Sequence, residues 1–226
     1  MRFNMNVLVI APHMDDEVLG CGATIARHID SGDDVTVVFI ANRIYDHIYN
    51  AEAHEREIAC AHRAKAVLGY NNAIFLGLPD ERLDICTQDI LIPLERVIAK
   101  VDPEVVYLCH RGDNNQDHRA VFHAARVALR PSATSHVSKI LCYEVPSSTE
   151  QSPAFPEAAF LPNIYYRISE QDLSRKLTAL NKYDSETRLF PHPRSPEAVE
   201  ARARIRGSES GFSAAEAFVL YREMRA

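Results

Sequence analysis

The chain lacks several features that would narrow its role at once. No apolar run approaches the roughly 18–20 residues needed to span a bilayer, so the sequence offers no membrane-spanning helix. Basic residues are in deficit: 25 Lys and Arg stand against 31 Asp and Glu, a net charge of −6. Without a basic face, or aromatics interleaved with basic side chains, a nucleic-acid partner is not expected. The five cysteines are odd in number and form no CxxC pair, so they read as reduced thiols of a cytoplasmic protein. Cys109 and Cys142 fall in strand patterns and read as small buried hydrophobes. Residues 1–6 lack the long apolar stretch and small-residue cleavage site of a signal peptide. Internal repeats and low-complexity tracts are also missing. What remains is ordinary: 46% hydrophobic and 25% charged residues in a 226-residue chain, enough for one globular unit with a single core.

The first two-thirds alternates strand and helix signals. Residues 6–10, 35–41, 73–78, 105–109 and 140–145 read as strands, and residues 17–30, 51–68, 90–100 and 118–129 as helices. In the third helix Pro93 fits only near the first turn, where a missing N–H costs nothing. The strands are continuously apolar rather than alternating, as expected of a mostly parallel sheet covered on both faces. The predicted fold is therefore α/β, a Rossmann-like open sheet over residues 1–145. Residues 146–226 add a substrate loop (146–162), a short strand (164–168) and a helix (170–183). They end in two short helices (197–206 and 214–222), a helical C-terminal extension of the same single domain.

Charge is concentrated where two of these strands end. Val7-Leu8-Val9-Ile10 runs directly into Ala11-Pro12-His13-Met14-Asp15-Asp16-Glu17, and the strand 105–109 runs into His110-Arg111-Gly112-Asp113-Asn114-Asn115-Gln116-Asp117-His118. In open α/β sheets ligands bind outside the carboxyl ends of the strands. A catalytic zinc takes three nitrogen or oxygen ligands and leaves a position for water. His13 and Asp16 supply two from one tight turn, and His118, at a helix start after another strand, is the best third. Asp15 is adjacent to a ligand without needing to be one. It is free to take a proton from a zinc-bound water and return it to a leaving amine. Asp117 is suited to orient a neighbouring ligand. Taken singly, an Asp-Asp pair is more often a solvated turn or helix cap. Two His/Asp clusters, each ending a buried strand, favour the metal reading.

The segment Pro12-His13-Met14-Asp15-Asp16-Glu17 resembles the PHPDDE signature of the LmbE-like, or PIG-L, N-deacetylases. Asp117-His118 resembles the DH of that family's second motif, and Gly20-Cys21-Gly22-Ala23-Thr24-Ile25 is similar to its first helix. The resemblance implies a zinc enzyme that removes acetyl groups from N-acetylglucosamine-type conjugates. It implies ligands His13, Asp16 and His118 and the base Asp15. Two positions depart from the pattern. Met14 replaces a proline, which is tolerable in a side chain that is not a ligand. Asn115 stands where many members carry a histidine that stabilises the oxyanion or acts as an acid. An amide can donate a hydrogen bond to an oxyanion but cannot supply a proton. His110, Asp113 or His192 are the groups that could compensate.

Other residues carry weaker signals. Prolines on both sides of His192-Pro193-Arg194-Ser195 hold a rigid loop, which makes Arg194, like Arg43 after the second strand, a candidate substrate contact. Gly20-Cys21-Gly22 sits where a dinucleotide-binding loop would, but it lacks the third glycine and an acidic residue after the second strand. His47, His54 and His62 lack the four-residue spacing of paired ligands, and Tyr107, Tyr165 and Tyr166 read as core. The expected reaction is hydrolysis of an N-acetyl amino sugar or conjugate by zinc-bound water. Iron(II) is an alternative metal, since two histidines and a carboxylate admit several. The partner is a small molecule, and a homo-oligomer is compatible with the chain. The rivals are a zinc amidase for another N-acyl metabolite and a non-catalytic protein that binds a sugar conjugate.

Overall fold

The structure, a computed structural model, describes residues 4–42, 51–134 and 136–225. Its centre is a seven-stranded sheet in the order β3-β2-β1-β4-β5-β7-β6. The strands are β1 (Asn6–Ala11), β2 (Asp34–Asn42), β3 (Asn72–Pro79), β4 (Val105–Cys109), β5 (Lys139–Tyr143), β6 (Ile164–Arg167) and β7 (Ala215–Glu223). β1 to β5 pair in parallel, and β7 runs antiparallel to both β5 and β6. The helices are α1 (Asp16–Asp30), α2 (Ala51–Leu68), α3 (Thr87–Val101), α4 (Gln116–Ala128), α5 (Glu170–Leu180) and α6 (Pro196–Ser210). α1, α2, α5 and α6 pack together, while α3 packs with α4. No helix among the described residues is long and apolar enough to cross a membrane.

The α/β class and the parallel core follow from the strands. β1 and β4 are buried along nearly their whole length, as their continuous apolarity demands. From β1 the chain moves outward to β2 and β3, and from β4 it moves the other way to β5. The connections diverge between β1 and β4, so a crevice opens at the carboxyl ends of these two neighbours. The two charged clusters are the turns that leave those strands.

Four elements differ from the sequence expectation. Residues 214–222, with three Ala, a Glu and a Leu among them, read as a helix in sequence but form β7. Tertiary context overrides propensity there. Phe218 is fully buried between the rings of Tyr107 and Tyr166, each 5.3 Å away. Second, α6 continues past residue 206 to Ser210 and ends at Gly211 in the left-handed region (φ 75°). It can do so because Gly207 lies against the backbone of Ala214, where a Cβ would come within 2.7 Å. Third, α3 begins at Thr87, so Pro93 falls in the second turn and not the first. Fourth, α5 stops at Leu180, before Tyr183.

β7 also completes α1. That helix breaks at Cys21 (φ −146°, ψ 25°), which frees backbone N–H groups in its middle. Ala23 and Thr24 donate theirs to the carboxylate of Glu216, at 3.1 and 2.7 Å, and Lys176 Nζ donates to the same group at 2.6 Å. Gly20 precedes the break because a Cβ there would lie 2.2 Å from the ring of Tyr143. That glycine serves helix–sheet packing.

Candidate metal centre

The turn after β1 builds half of the site from adjacent residues. The His13 backbone N–H donates to Asp16 Oδ2 at 2.9 Å, which folds the turn over the start of α1. Asp15 is held at φ 127°, in the region that disfavours residues with a Cβ. Such strain costs on the order of 1–3 kcal/mol and persists only where surrounding contacts fix it. Here the Asp15 carbonyl accepts from Val18 and Leu19, and its N–H donates to Glu17 Oε2 at 3.1 Å. Tyr183 donates to the other oxygen of Glu17 at 2.7 Å. Burial pushes the Glu17 carboxyl up to about 8, so it is largely neutral at pH 7.

α4 starts at the facing position. Asn115 caps it by accepting the Asp117 N–H at 2.8 Å. This sets His118 one turn in, fully buried against the first cluster. His13 Nδ1 and His118 Nε2 lie 3.2 Å apart, and Asp16 Oδ2 lies 3.3 Å from the first and 3.2 Å from the second. Burial alone would lower both histidine pKa values. The neighbouring carboxylates outweigh it, raising His13 well above its usual value and His118 to about 9. Burial likewise opposes the charge on Asp16, but His118 and His13 hold its pKa well below the ordinary carboxylate range.

These three donors fit a divalent metal ion. Ligand atoms about 2.0–2.1 Å from one tetrahedral centre are about 3.3 Å apart, which is the edge length found. Asp16 Oδ1 is buried without a hydrogen-bond partner among the described residues, so the carboxylate has an oxygen in reserve.

Each histidine is oriented from behind by carboxylates, as metal-binding imidazoles usually are. His13 Nε2 faces Asp80 Oδ1 at 3.0 Å and Asp117 Oδ2 at 3.3 Å. Asp117 is itself fixed by the backbone N–H groups of Glu81 and Leu83, at 2.8 and 3.1 Å. His118 Nδ1 faces Asp113 Oδ1 at 3.2 Å. Asp113 accepts from the hydroxyls of Ser148 and Thr149 and from the Asn115 N–H. Burial raises the Asp113 pKa, yet His118 and these hydroxyls bring the net shift below the ordinary value. A second donor group, His13, Asp80 and Asp117, also lies within metal-binding reach. Both oxygens of Asp117 already hold backbone N–H groups, so the first group is the better fit.

In front of this cluster lies a cavity of about 200 Å³ with polar walls that include His13, Asp15, Asp80, Asn115, Gln116 and Arg194. Arg194 Nη1 donates to Asp15 Oδ2 at 2.8 Å and to Glu186 Oε2 at 2.7 Å, and its Nε donates to Ser147 at 2.7 Å.

The sequence candidates therefore separate into groups. His13, Asp16 and His118 converge, and Asp15, Asn115 and Arg194 share the cavity in front. Asp113 stands behind His118. His192 is taken up in its own turn, its Nδ1 accepting the Arg194 N–H at 3.1 Å. His110 packs edge-on to Phe160 in a separate cavity that shares no lining residue with the first. Arg43 lies outside the described residues. Asp80, Glu186, Ser148 and Thr149 join the site without having been singled out. Asp80 had a readable signal, since it follows β3 at the same carboxyl edge of the sheet. Ser148 and Thr149 lie in the 146–162 stretch expected to be a substrate loop, but nothing within it points to those two residues, and Glu186 lies far from either cluster in sequence.

Comparison with known proteins agrees with this geometry. In sequence, the chain is 31% identical over 186 residues to the "uncharacterized deacetylase YaiS" of Escherichia coli K12, covering 79% of this chain and 90% of that protein. In structure, it superposes on the N,N'-diacetylchitobiose deacetylase of Pyrococcus horikoshii with a TM-score of 0.74 at 19% identity, over 95% of this chain and 82% of that one. It superposes equally well on GalB, the 4-carboxy-2-hydroxymuconate hydratase of Pseudomonas putida KT2440. There the TM-score is 0.77 at 20% identity, over 98% of both chains. The architecture thus serves more than one reaction, and the fold alone does not fix the chemistry. The family described as "PIG-L: GlcNAc-PI de-N-acetylase" matches residues 8–129, a stretch that holds both charged turns. With His13, Asp16 and His118 gathered inside that matched stretch, the chain belongs to the PIG-L (LmbE-like) deacetylase family.

Proposed function

We propose that the protein is a metal-dependent hydrolase that removes the N-acetyl group from an amino sugar or a conjugate of one. Zinc is the metal favoured by the donor set, and iron(II) is the alternative. The observation that carries this reading is the convergence of His13 Nδ1, His118 Nε2 and Asp16 Oδ2 within 3.3 Å of one another. A cation held there supplies Lewis acidity, making a water more acidic and polarising the amide carbonyl. The remaining work falls to the chain.

Asp15 takes the proton of the attacking water as the C–O bond forms. Arg194 fixes its carboxylate in the cavity, so the base is aimed before substrate arrives. The Asn115 side-chain oxygen is engaged as the helix cap, which leaves its amide N–H groups as donors for the developing oxyanion. Asp15 then returns the proton to the amine nitrogen as the C–N bond breaks, giving acetate and a free amine. Asp80, Glu81 and Gln116 on the cavity wall offer hydrogen bonds to the hydroxyls of a sugar ring. The five free thiols suit a reducing, intracellular setting.

Elemental analysis of wild type and His118→Ala, together with acetate release from N-acetylglucosamine and its conjugates, tests the reading. About one equivalent of zinc or iron, lost in the variant along with acetate release, is expected. Wild type that binds no divalent metal overturns it. Metal-loaded protein that releases other acids but never acetate moves the assignment to another amide.

A further inference from the structure

Asp15 is held by residues more than 160 positions later in the chain. α5 ends at Leu180, and the segment after it makes a turn in which the Glu186 N–H donates to the Tyr183 carbonyl at 3.0 Å. Thr187 Oγ1 ties this turn to α5 by donating to the Leu180 carbonyl at 2.9 Å, and Ser185 Oγ ties it to α2 by donating to Glu57. Tyr183 and Glu186 therefore leave one anchored turn, and both are buried. Both lie beyond residues 8–129, the stretch that carries the family match.

The two side chains reach the same residue by different routes. Tyr183 Oη donates to Glu17 Oε1 at 2.7 Å, and Glu17 Oε2 accepts the Asp15 N–H at 3.1 Å. Glu186 Oε2 accepts from Arg194 Nη1 at 2.7 Å, and the same nitrogen donates to Asp15 Oδ2 at 2.8 Å. The first route grips the Asp15 backbone and the second its carboxylate. The backbone needs a grip, because φ is 127° at a residue with a Cβ. Such a conformation persists only where the surroundings over-determine it. Asp15 and Arg194 line the cavity in front of the metal centre, whereas Tyr183 and Glu186 do not. Any effect of these two on the reaction must pass through Glu17 and Arg194.

We propose that, with Asp15 as the base of the hydrolysis described above, Tyr183 and Glu186 are its positioning residues. Tyr183, through Glu17, sets the backbone that carries the base. Glu186, through Arg194, sets the direction of its carboxylate. A misplacement of about 1 Å, even one caused far from the chemistry, costs on the order of a hundredfold in rate.

Tyr183→Phe removes one hydroxyl and Glu186→Gln one charge, each with little change in volume. Either is expected to lower kcat for acetate release by about 10–100-fold, with KM and metal content unchanged. A double-mutant cycle separates positioning from general support of the fold. In an Asp15→Asn background neither substitution should lower the residual rate further, because the group they position is gone. Two readouts do not depend on turnover. In metal-loaded Tyr183→Phe the Asp15 amide should exchange with solvent about tenfold faster than in wild type, and in Glu186→Gln the Arg194 guanidinium protons should do the same. If wild type holds metal but releases no acetate, the deacetylase reading fails, and the exchange rates alone decide whether the two residues hold Asp15. Should Tyr183→Phe not fold, Glu186→Gln carries the same cycle and exchange measurement. Unchanged exchange, losses of kcat that persist in full in the Asp15→Asn background, or losses that follow metal content overturn the proposal.

Discussion

The two turns that form the candidate metal centre are built in opposite ways. The backbone of residues 12–17 is folded largely by its own side chains: the His13 N–H folds onto Asp16, and Glu17 receives the Asp15 N–H. Residues 110–118 depend on distant chain. Gly112 touches the backbone of Ala158 so closely that a Cβ would sit 2.2 Å from the Ala158 carbonyl oxygen, and Asp113 is gripped by Ser148 and Thr149. One candidate ligand histidine therefore comes from a short-range motif, and the other from a loop held by a segment more than thirty positions later. A compact motif marks where chemistry is placed, whereas the precision of the second ligand is spread over residues that carry no motif.

The largest expected effect separates base from ligands. Asp15→Asn should lower kcat by about 10²–10⁴-fold with metal content unchanged, read by acetate release and elemental analysis side by side. Loss of metal in Asp15→Asn would mean that the first turn is not self-sufficient. Next come the supports. Asp113→Asn should weaken metal affinity by about 10–100-fold, measured by competition with a chelator, and Asp80→Asn should do less because Asp117 still faces His13. Equal losses would erase the asymmetry between the turns. Thr149→Val removes one of the hydroxyls on Asp113 and should cost roughly severalfold to tenfold in metal affinity, with little change in kcat once the site is saturated.

A pH series sharpens the same comparison at smaller scale. In metal-free protein His118 titrates at about 9 against an ordinary 6.5. Its contribution to stability is full below about 6.5 and is lost as the pH rises through about 9. That difference is on the order of 3 kcal/mol. Metal binding displaces the proton, so the gap in Tm between metal-bound and metal-free protein should widen from pH 6.5 to 9. A gap that narrows over this range would place the proton elsewhere.

What could be read in the sequence was what local chemistry dictates. Continuous apolar runs gave the parallel strands, and charge at their ends located His13, Asp16 and His118. The misreading of residues 214–222 has a physical cause. Ala-Glu-Ala-Phe-Val-Leu satisfies a helical pattern, and only the open edge of β5 and the pocket between Tyr107 and Tyr166 make it a strand. Ser148, Thr149 and Glu186 could not have been found because their relevance lies in what they touch. Arg194 was found as a candidate substrate contact, but its ion pair with Asp15 is a fact of three dimensions.

The bond between Glu216 and the broken middle of α1 has a consequence for the order of events during synthesis. His13, Asp15 and Asp16 stand at the start of a helix whose second half needs a carboxylate made roughly two hundred residues later. A nascent chain can therefore carry the complete short motif while the helix behind it still has unanswered backbone donors. The helix that starts at the candidate metal centre has all of its middle donors answered only when β7 enters the sheet, which ties the finished first turn to the completion of the fold.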